Sequence, residues 1–260
     1  MSGNRVLTEV VDNIAFLKLN SPPAHCLSSA MIEDLNTAFN KVSSGTGMRC
    51  IVITAEGDRF FALGADINEV AKLDASMNRK LVARVGEVLN KILISPIPTV
   101  AAINGSAMGG GLELTLHCDF RICTEGVKFG LPEINLGLIP GAGGIQLLPR
   151  LIGLPWAKRL LYTGEVIDAR NALAIGLVDQ VVPDNQTLRG EVMKIGSLLA
   201  SKAPLAYRAV KKALLAGMEK SYSDARKEDV SLFAEVCVSA DKQEGINAFL
   251  EKRKPVYTGQ

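Results

Sequence analysis

Two glutamates and a run of three glycines are the residues of this chain whose types and spacing can do chemistry. Gly109, Gly110 and Gly111 directly precede a helical-looking run from Leu112 to His117. Glycine lets a backbone turn sharply and come close to a ligand. The free N–H groups that open a helix, with the helix dipole behind them, suit an oxygen carrying negative charge. Such an arrangement is an oxyanion hole, in which loss of one donor costs roughly 3 kcal/mol of catalysis. Taken alone, the glycines need only allow backbone to pack on backbone. Glu113, however, follows Gly110 by three residues and falls on the first helical turn, where an acid also offsets the dipole. Glu133 follows in Leu131-Pro132-Glu133, ahead of a second glycine cluster at Gly141 and Gly143-Gly144. Two carboxyls near one set of backbone donors can take a proton from water and deliver another to carbon, which is what hydration requires.

Other chemistries lack their residues. Neither glycine cluster reads Gly-x-Gly-x-x-Gly, and no Gly-Lys-Ser/Thr marks a phosphate loop. Gly105-Ser106-Ala107 is not a nucleophile elbow. The two histidines, His25 and His117, are too few for a histidine-based metal site. Glu113 and His117, four apart, form a conceivable Glu/His metal pair, but no further ligand cluster accompanies them. The expectation is therefore no metal and no cofactor. The five cysteines (26, 50, 118, 123 and 237) form no Cys-x-x-Cys pair and read as small buried thiols of a reducing compartment. The opening Met-Ser-Gly-Asn-Arg lacks the apolar core of a secretion signal, so a cytoplasmic protein is expected, with an organelle matrix after leader removal left open. No apolar run is long enough to span a bilayer. A net charge of +2 argues against a strongly basic nucleic-acid binder.

The elements that must position these residues follow from periodicity. Ile14 to Leu19, Cys50 to Thr54 and Thr99 to Ile103 are dense in β-branched and apolar residues and read as strands. Between the first two, Ser28 or Ser29 caps a helix whose apolar stripe is Met31, Leu35, Ala38 and Phe39. A longer helix from about Met77 to Leu93 ends before Pro96 and Pro98. Strands alternating with helices predict an α/β domain. Beyond about residue 150 the chain reads as mostly helix. Pro204 opens one helix, whose face of Ala206, Ala209, Val210 and Ala213 runs to Gly217. Val230, Phe233, Ala234 and Cys237 repeat the spacing, and so do Ile246, Phe249 and Leu250. These helices suit a packing cap and an oligomer contact equally. No internal repeat is evident.

The residues also carry a resemblance. Asn104-Gly105 through Gly109-Gly110-Gly111-x-Glu113, then Cys118-Asp119, Phe129-Gly130-x-Pro132-Glu133 and Gly137-x-x-Pro140-Gly141-x-Gly143-Gly144 resemble the signature of the crotonase (enoyl-CoA hydratase/isomerase) family. Ala62-Leu63-Gly64-Ala65-Asp66-Ile67, Leu161-Tyr162-Thr163-Gly164, Ala174-Ile175-Gly176-Leu177-Val178 and Glu244-Gly245-x-x-Ala248-Phe249-x-Glu251-Lys252-Arg253 extend it over nearly the whole chain.

The resemblance implies an α/β fold, a crotonase-like spiral of ββα units over residues 1–200. A C-terminal helical oligomerisation subdomain over 201–260 would form homotrimers or hexamers. It implies acyl-CoA thioester substrates. Ala65 and Gly110 would hold the thioester oxygen through their N–H groups, with Glu113 and Glu133 as the catalytic acids. Ala24, Ala62, Gly64, Ala65, Asp66, Ile67, Gly110 and Gly141 would bind CoA. Both acids together point to an enoyl-CoA hydratase, with Glu113 drawing a proton from water and Glu133 protonating carbon 2. The alternatives are an enoyl-CoA isomerase and an RNA-binding homologue using Arg79, Lys80, Arg84 and Lys91. Lys252, Arg253 and Lys254 meet CoA phosphates in one reading and solvent in the other. His117 is expected to be a neutral core residue able to alter the pKa of Glu113. His25 is expected in a loop near the CoA edge. Gly141 would let its loop pass close to the acyl group or serve as a plain turn.

Overall fold

The computed structural model describes residues 4–45 and 47–260. Strands β1 (Val6–Val11) and β2 (Ile14–Leu19) form a hairpin across Asp12 and Asn13, both at positive φ as a two-residue turn requires. Helix α1 (Ser29–Ser43), β3 (Cys50–Ala55), β4 (Phe60–Ala62), α2 (Ile67–Val70) and α3 (Ala75–Leu93) follow. Next come β5 (Thr99–Ile103), β6 (Ser106–Met108), α4 (Gly110–Leu116), β7 (Phe120–Thr124), β8 (Lys128–Gly130) and a 3-10 turn at Pro132–Leu136. Helix α5 (Gly144–Thr163), broken at Gly153, leads to β9 (Val166–Asp168), α6 (Ala169–Ala174), β10 (Gln180–Val182) and α7 (Asn185–Ala200). The chain closes with α8 (Pro204–Glu219), α9 (Tyr222–Cys237) and α10 (Ala240–Leu250).

The strands sort into a larger sheet, β1-β2-β3-β5-β7-β10, and a smaller one, β4-β6-β8-β9. Each pair β3/β4, β5/β6 and β7/β8 places its first strand in the larger sheet and its second in the smaller, and a helical segment follows. This is the expected spiral of ββα turns. The repeat is invisible in sequence because strands of three residues carry no periodicity. The parallel strands β2, β3, β5 and β7 are apolar on both faces because both are covered. Ala15, Leu17, Ile51 and Ile53 pack with α1 and α3, while Ile14, Phe16, Val52 and Val100 pack against Leu188 and Val192 of α7.

The three predicted strands and the helices over α1 and α3 form where expected, and Ser28 is the cap, accepting from Met31 N at 3.3 Å. Helix α8 runs through Gly217 to Glu219, past the predicted stop. Gly217 has nothing against its Cα, and the Lys220 N–H closes the last turn on Ala216 O at 2.9 Å. Cys26 and Cys237 are only half-buried, unlike Cys50, Cys118 and Cys123; all five are free thiols.

Helix α8 is tied to the core through Asp119. Its Oδ2 accepts from Thr99 N (2.8 Å), Tyr207 Oη (2.7 Å) and Lys211 Nζ (2.8 Å). Lys211 is almost wholly buried, and such a charge is tolerable only with its partner in place. The first turn of α4 meets β4 without side chains between. A Cβ on Gly111 would stand 2.1 Å from the carbonyl oxygen of Ala62. Gly111→Ala should therefore lower stability by about 2 kcal/mol or more, because neither backbone can give way. Gly126→Ala, where nothing lies within 4 Å, should shift a urea midpoint little. Equal midpoints for the two variants would contradict this packing.

Candidate active site

Helix α4 is short, buried and anchored at both ends. At its C-terminus Arg121 Nη1 donates to Thr115 O (3.3 Å) and Cys118 O (2.7 Å), placing a cation where the dipole is negative. At its N-terminus Gly109 has φ 53° and ψ −129°, a conformation that favours glycine. The Gly64 loop, at φ 86°, abuts this turn: a Cβ on Gly64 would lie 2.9 Å from Gly110 N and 3.1 Å from Met108 O. Gly64 also accepts a hydrogen bond from Leu27 N at 2.7 Å, and Ala24 O accepts from Leu63 N at 3.1 Å, which fix the loop from below. Ala65 and Gly110 both line one cavity of about 320 Å³, and among the described residues neither N–H donates to a protein acceptor.

Glu113, one turn into α4, is buried at 3% exposure. Its Oε1 accepts from Ala142 N and Gly144 N, both at 2.8 Å, so one oxygen is held by the second glycine cluster. The other oxygen, Oε2, lies 3.8 Å from where a Cβ on Gly110 would stand. Burial pushes the Glu113 carboxyl above its usual range, and the two backbone donors oppose that rise.

Glu133 stands in the 3-10 turn rather than in an irregular loop. Its Oε1 lies 2.9 Å from where a Cβ on Gly109 would stand, so both carboxyls converge on Gly109-Gly110. Its Oε2 is buried without a hydrogen-bond partner. Burial, reinforced by the Glu113 charge, pushes the Glu133 carboxyl up to about 7 against a weaker lowering by its own backbone N–H. Burial thus raises both glutamates, but one oxygen of Glu113 is held by two amides, whereas Oε2 of Glu133 has no partner.

The remaining expected residues divide. Gly64, Ile67 and Gly141 line the same cavity. Ala62 is fully buried beneath Gly111, away from the cavity wall, and Ala24 reaches the site only through its carbonyl. Asp66 caps α2, accepting from Asn68 N at 2.9 Å. Gly141 is small because of α3: a Cβ there would meet Val82 Cγ1 at 2.6 Å. Two readings of His117 change. Its ring bonds the Glu113 main chain, Nδ1–H to O at 2.7 Å, and not the carboxylate. The ring edge fills the space beside Gly143, whose φ is 110° and whose added Cβ would lie 2.9 Å from Cε1. Burial keeps this imidazole neutral, so it acts as a wedge beneath the Ala142–Gly144 donors. No group of three His, Cys, Asp or Glu among the described residues is placed to hold a metal. His25 is a buried latch: Ser21 N donates to its Nδ1 and its Nε2 meets Glu56 O, each at 3.0 Å.

The basic clusters are partly spent on internal pairs. Arg84 bonds Glu33 and Glu87, and Lys91 Nζ donates to Asn36 Oδ1 at 2.7 Å, leaving Arg79 and Lys80 exposed on α3. Arg253 pairs with Glu244 and Glu251 at 2.6 Å each. No helix among the described residues is long and apolar enough to cross a membrane. Sequence reasoning missed the Ala142 and Gly144 N–H donors, although their glycine cluster was visible. It also missed the apolar wall of Leu81, Val82 and Val85 from α3 facing Leu136, Leu138 and Ile139. The exposed Val82, beside the buried Val85 in an otherwise core-facing stripe, is the signal that α3 borders a cleft.

The raised carboxyl of Glu133 has a consequence for stability. A group whose pKa is about 7 in the folded chain and 4.5 in its ordinary state binds more protons when folded, so its ionisation costs stability as pH rises through that window. Glu133→Gln should therefore stabilise the chain at pH 8 by about 1–2 kcal/mol after solvent screening. The gain should fade on acidification from about 7 to 4.5. Chemical denaturation at the two ends of the range checks it; a gain independent of pH would contradict it.

Comparison with known proteins places this geometry. A sequence model described as enoyl-CoA hydratase/isomerase matches residues 9–260. The chain is 38% identical over 258 residues to a probable enoyl-CoA hydratase of Bacillus subtilis, covering 99% of this chain and 100% of the relative. It is 39% identical over 255 residues to a crotonyl-CoA hydratase of Syntrophomonas wolfei, covering 98% of each. The crystal structure of an enoyl-CoA hydratase from Bacillus anthracis superposes with a TM-score of 0.94 at 36% identity, covering 98% of this chain and 100% of that one. The ββα spiral, the glycine-opened helix and the match along the chain agree, and this protein belongs to the enoyl-CoA hydratase/isomerase (crotonase) family.

Proposed function

We propose that this enzyme adds water reversibly across the double bond of 2-trans-enoyl-CoA thioesters, giving 3-hydroxyacyl-CoA, with no cofactor beyond the substrate. One observation carries the reading: Glu113 and Glu133 converge on Gly109-Gly110, where the N–H groups of Ala65 and Gly110 are free to hold an oxygen. The thioester oxygen accepts from those two donors, which polarises the conjugated system and makes carbon 3 electrophilic. Glu113 Oε2 takes a proton from water as the water oxygen bonds to carbon 3. The electron pair of the double bond moves onto the thioester oxygen, where the two N–H groups stabilise the enolate. Protonated Glu133 then delivers its proton to carbon 2, and the thioester carbonyl reforms. Atoms balance as one water per turnover, and a proton passes from Glu113 back to Glu133 through solvent or the next water.

The assignment of base and acid follows the surroundings of the two carboxyls. The amides of Ala142 and Gly144 favour charge on Glu113, while burial and that charge keep Glu133 protonated up to about 7.

The same reading assigns residues 1–200 to the catalytic core and 201–260 to self-association as a trimer or a dimer of trimers. What supports it is the apolar face the last helices leave uncovered. Phe233 is 74% exposed and Phe249 is 83% exposed, whereas α8 is locked to the core through Lys211.

Crotonyl-CoA should lose its conjugated-thioester absorbance on addition of the purified enzyme; an unchanged spectrum, with absorbance instead appearing from a 3-enoyl-CoA, would identify an isomerase. Glu113→Gln and Glu133→Gln should each lower kcat by about 100-fold or more while acyl-CoA still binds. Near-normal turnover in either variant would remove the paired-acid mechanism. Hydration kcat should fall as pH rises above about 7, since the proton-donating form of Glu133 is lost there. Light scattering should give a mass of three or six chains, and Phe233→Asp with Phe249→Lys should reduce it; a monomeric parent chain would contradict the assembly.

A further inference from the structure

Beyond the two glutamates, the cavity beside Gly110 is walled almost wholly by hydrocarbon. Leu81, Val82 and Val85 of α3 form one side, and Leu136, Leu138 and Ile139 form the other. Four of these six are also among the exposed large hydrophobics of the chain: Val82 at 42%, Leu138 at 43%, Leu136 at 60% and Ile139 at 69%. All four line this one cavity, and apolar surface left open to water in a cavity is covered by an apolar ligand. The lining includes no Lys, Arg or His among the described residues, and its one uncharged polar side chain is Asn78. The amide nitrogen of Asn78 is already used, donating to Leu73 O at 3.0 Å and Val70 O at 3.4 Å. On the same helix Arg84 is paired with Glu33 and Glu87, and Arg79 and Lys80 are exposed and not part of the lining.

Resting on the hydratase reading of this site, we propose that the cleft takes uncharged aliphatic acyl groups and rejects short acyl groups that end in a carboxylate. A terminal methyl gains from burial against the leucine and valine wall. A terminal carboxylate at the same place loses its hydration without finding a cation or a free donor. It also brings a third acid to a site that already holds Glu113 and Glu133, and like charges raise each other's cost of ionisation.

The test compares pairs that differ only at the acyl terminus. With purified enzyme, kcat/KM for 2-hexenoyl-CoA should exceed that for 2,3-dehydroadipyl-CoA by about 100-fold or more, the discrimination expected when a carboxylate is desolvated without a partner. Equal or reversed values would overturn the proposal and leave the hydratase reading intact. Calorimetric binding of the saturated pair, hexanoyl-CoA and adipyl-CoA, reads the cleft without turnover. Tighter binding of hexanoyl-CoA supports the proposal even if neither enoyl thioester is hydrated, in which case the hydratase reading alone falls. Equal or tighter binding of adipyl-CoA overturns it.

Discussion

Main chain touches main chain where the first turn of α4 meets β4 and the Gly64 loop, and the site exists because of that contact. Gly111 has no room for a methyl group over the carbonyl of Ala62, and Gly64 has none beside Gly110 N. Only glycines allow two backbones this close. The approach sets the amides of Ala65 and Gly110 on one cavity. It also fixes the helix axis, so that the residue three positions on, Glu113, comes out against the same point. Arg121 at the other end satisfies carbonyls that a seven-residue buried helix would otherwise leave unpaired.

Two carboxyls brought to one place would ordinarily share their charge symmetrically. Here the surroundings break the symmetry. Glu113 gains two amide donors on one oxygen from the Ala142–Gly144 turn, and His117 wedges beneath that turn while bonding the main chain of Glu113 itself. Glu133 gains no donor for its buried Oε2. Burial raises both carboxyls, and donors to the charged form oppose that rise where they are present. The difference between the two sites is thus a matter of hydrogen-bond supply, since both residues are glutamates with the same intrinsic affinity for protons.

The C-terminal helices follow another logic. Asp119, which follows Cys118 just beyond α4, collects Thr99, Tyr207 and Lys211 and so joins β5 and the end of α4 to α8. In helices α9 and α10 Leu232 and Ala248 are buried, while Phe233, Phe249 and Leu250 are largely exposed.

How much of this was legible before folding differs from residue to residue. Periodicity located β2, β3, β5, α1, α3 and the C-terminal helices, because each repeats its apolar positions long enough to register. The glycine triplet and the spacing to Glu113 announced backbone donors at a helix start, and the ordered motifs announced the family. The smaller sheet was not legible from periodicity, since strands of three residues hold no pattern, and the ββα repeat they build was announced only by the family resemblance. Nor could sequence say that Gly141 is small because of Val82, or that His117 serves the main chain of Glu113 and not its carboxylate. The amino-acid order by itself determined which groups are available for chemistry and which local elements carry them. Only the tertiary structure decided which glutamate is supplied with two amide donors, which has a buried oxygen without one and what kind of wall surrounds the cavity, because those depend on contacts between segments far apart in the chain.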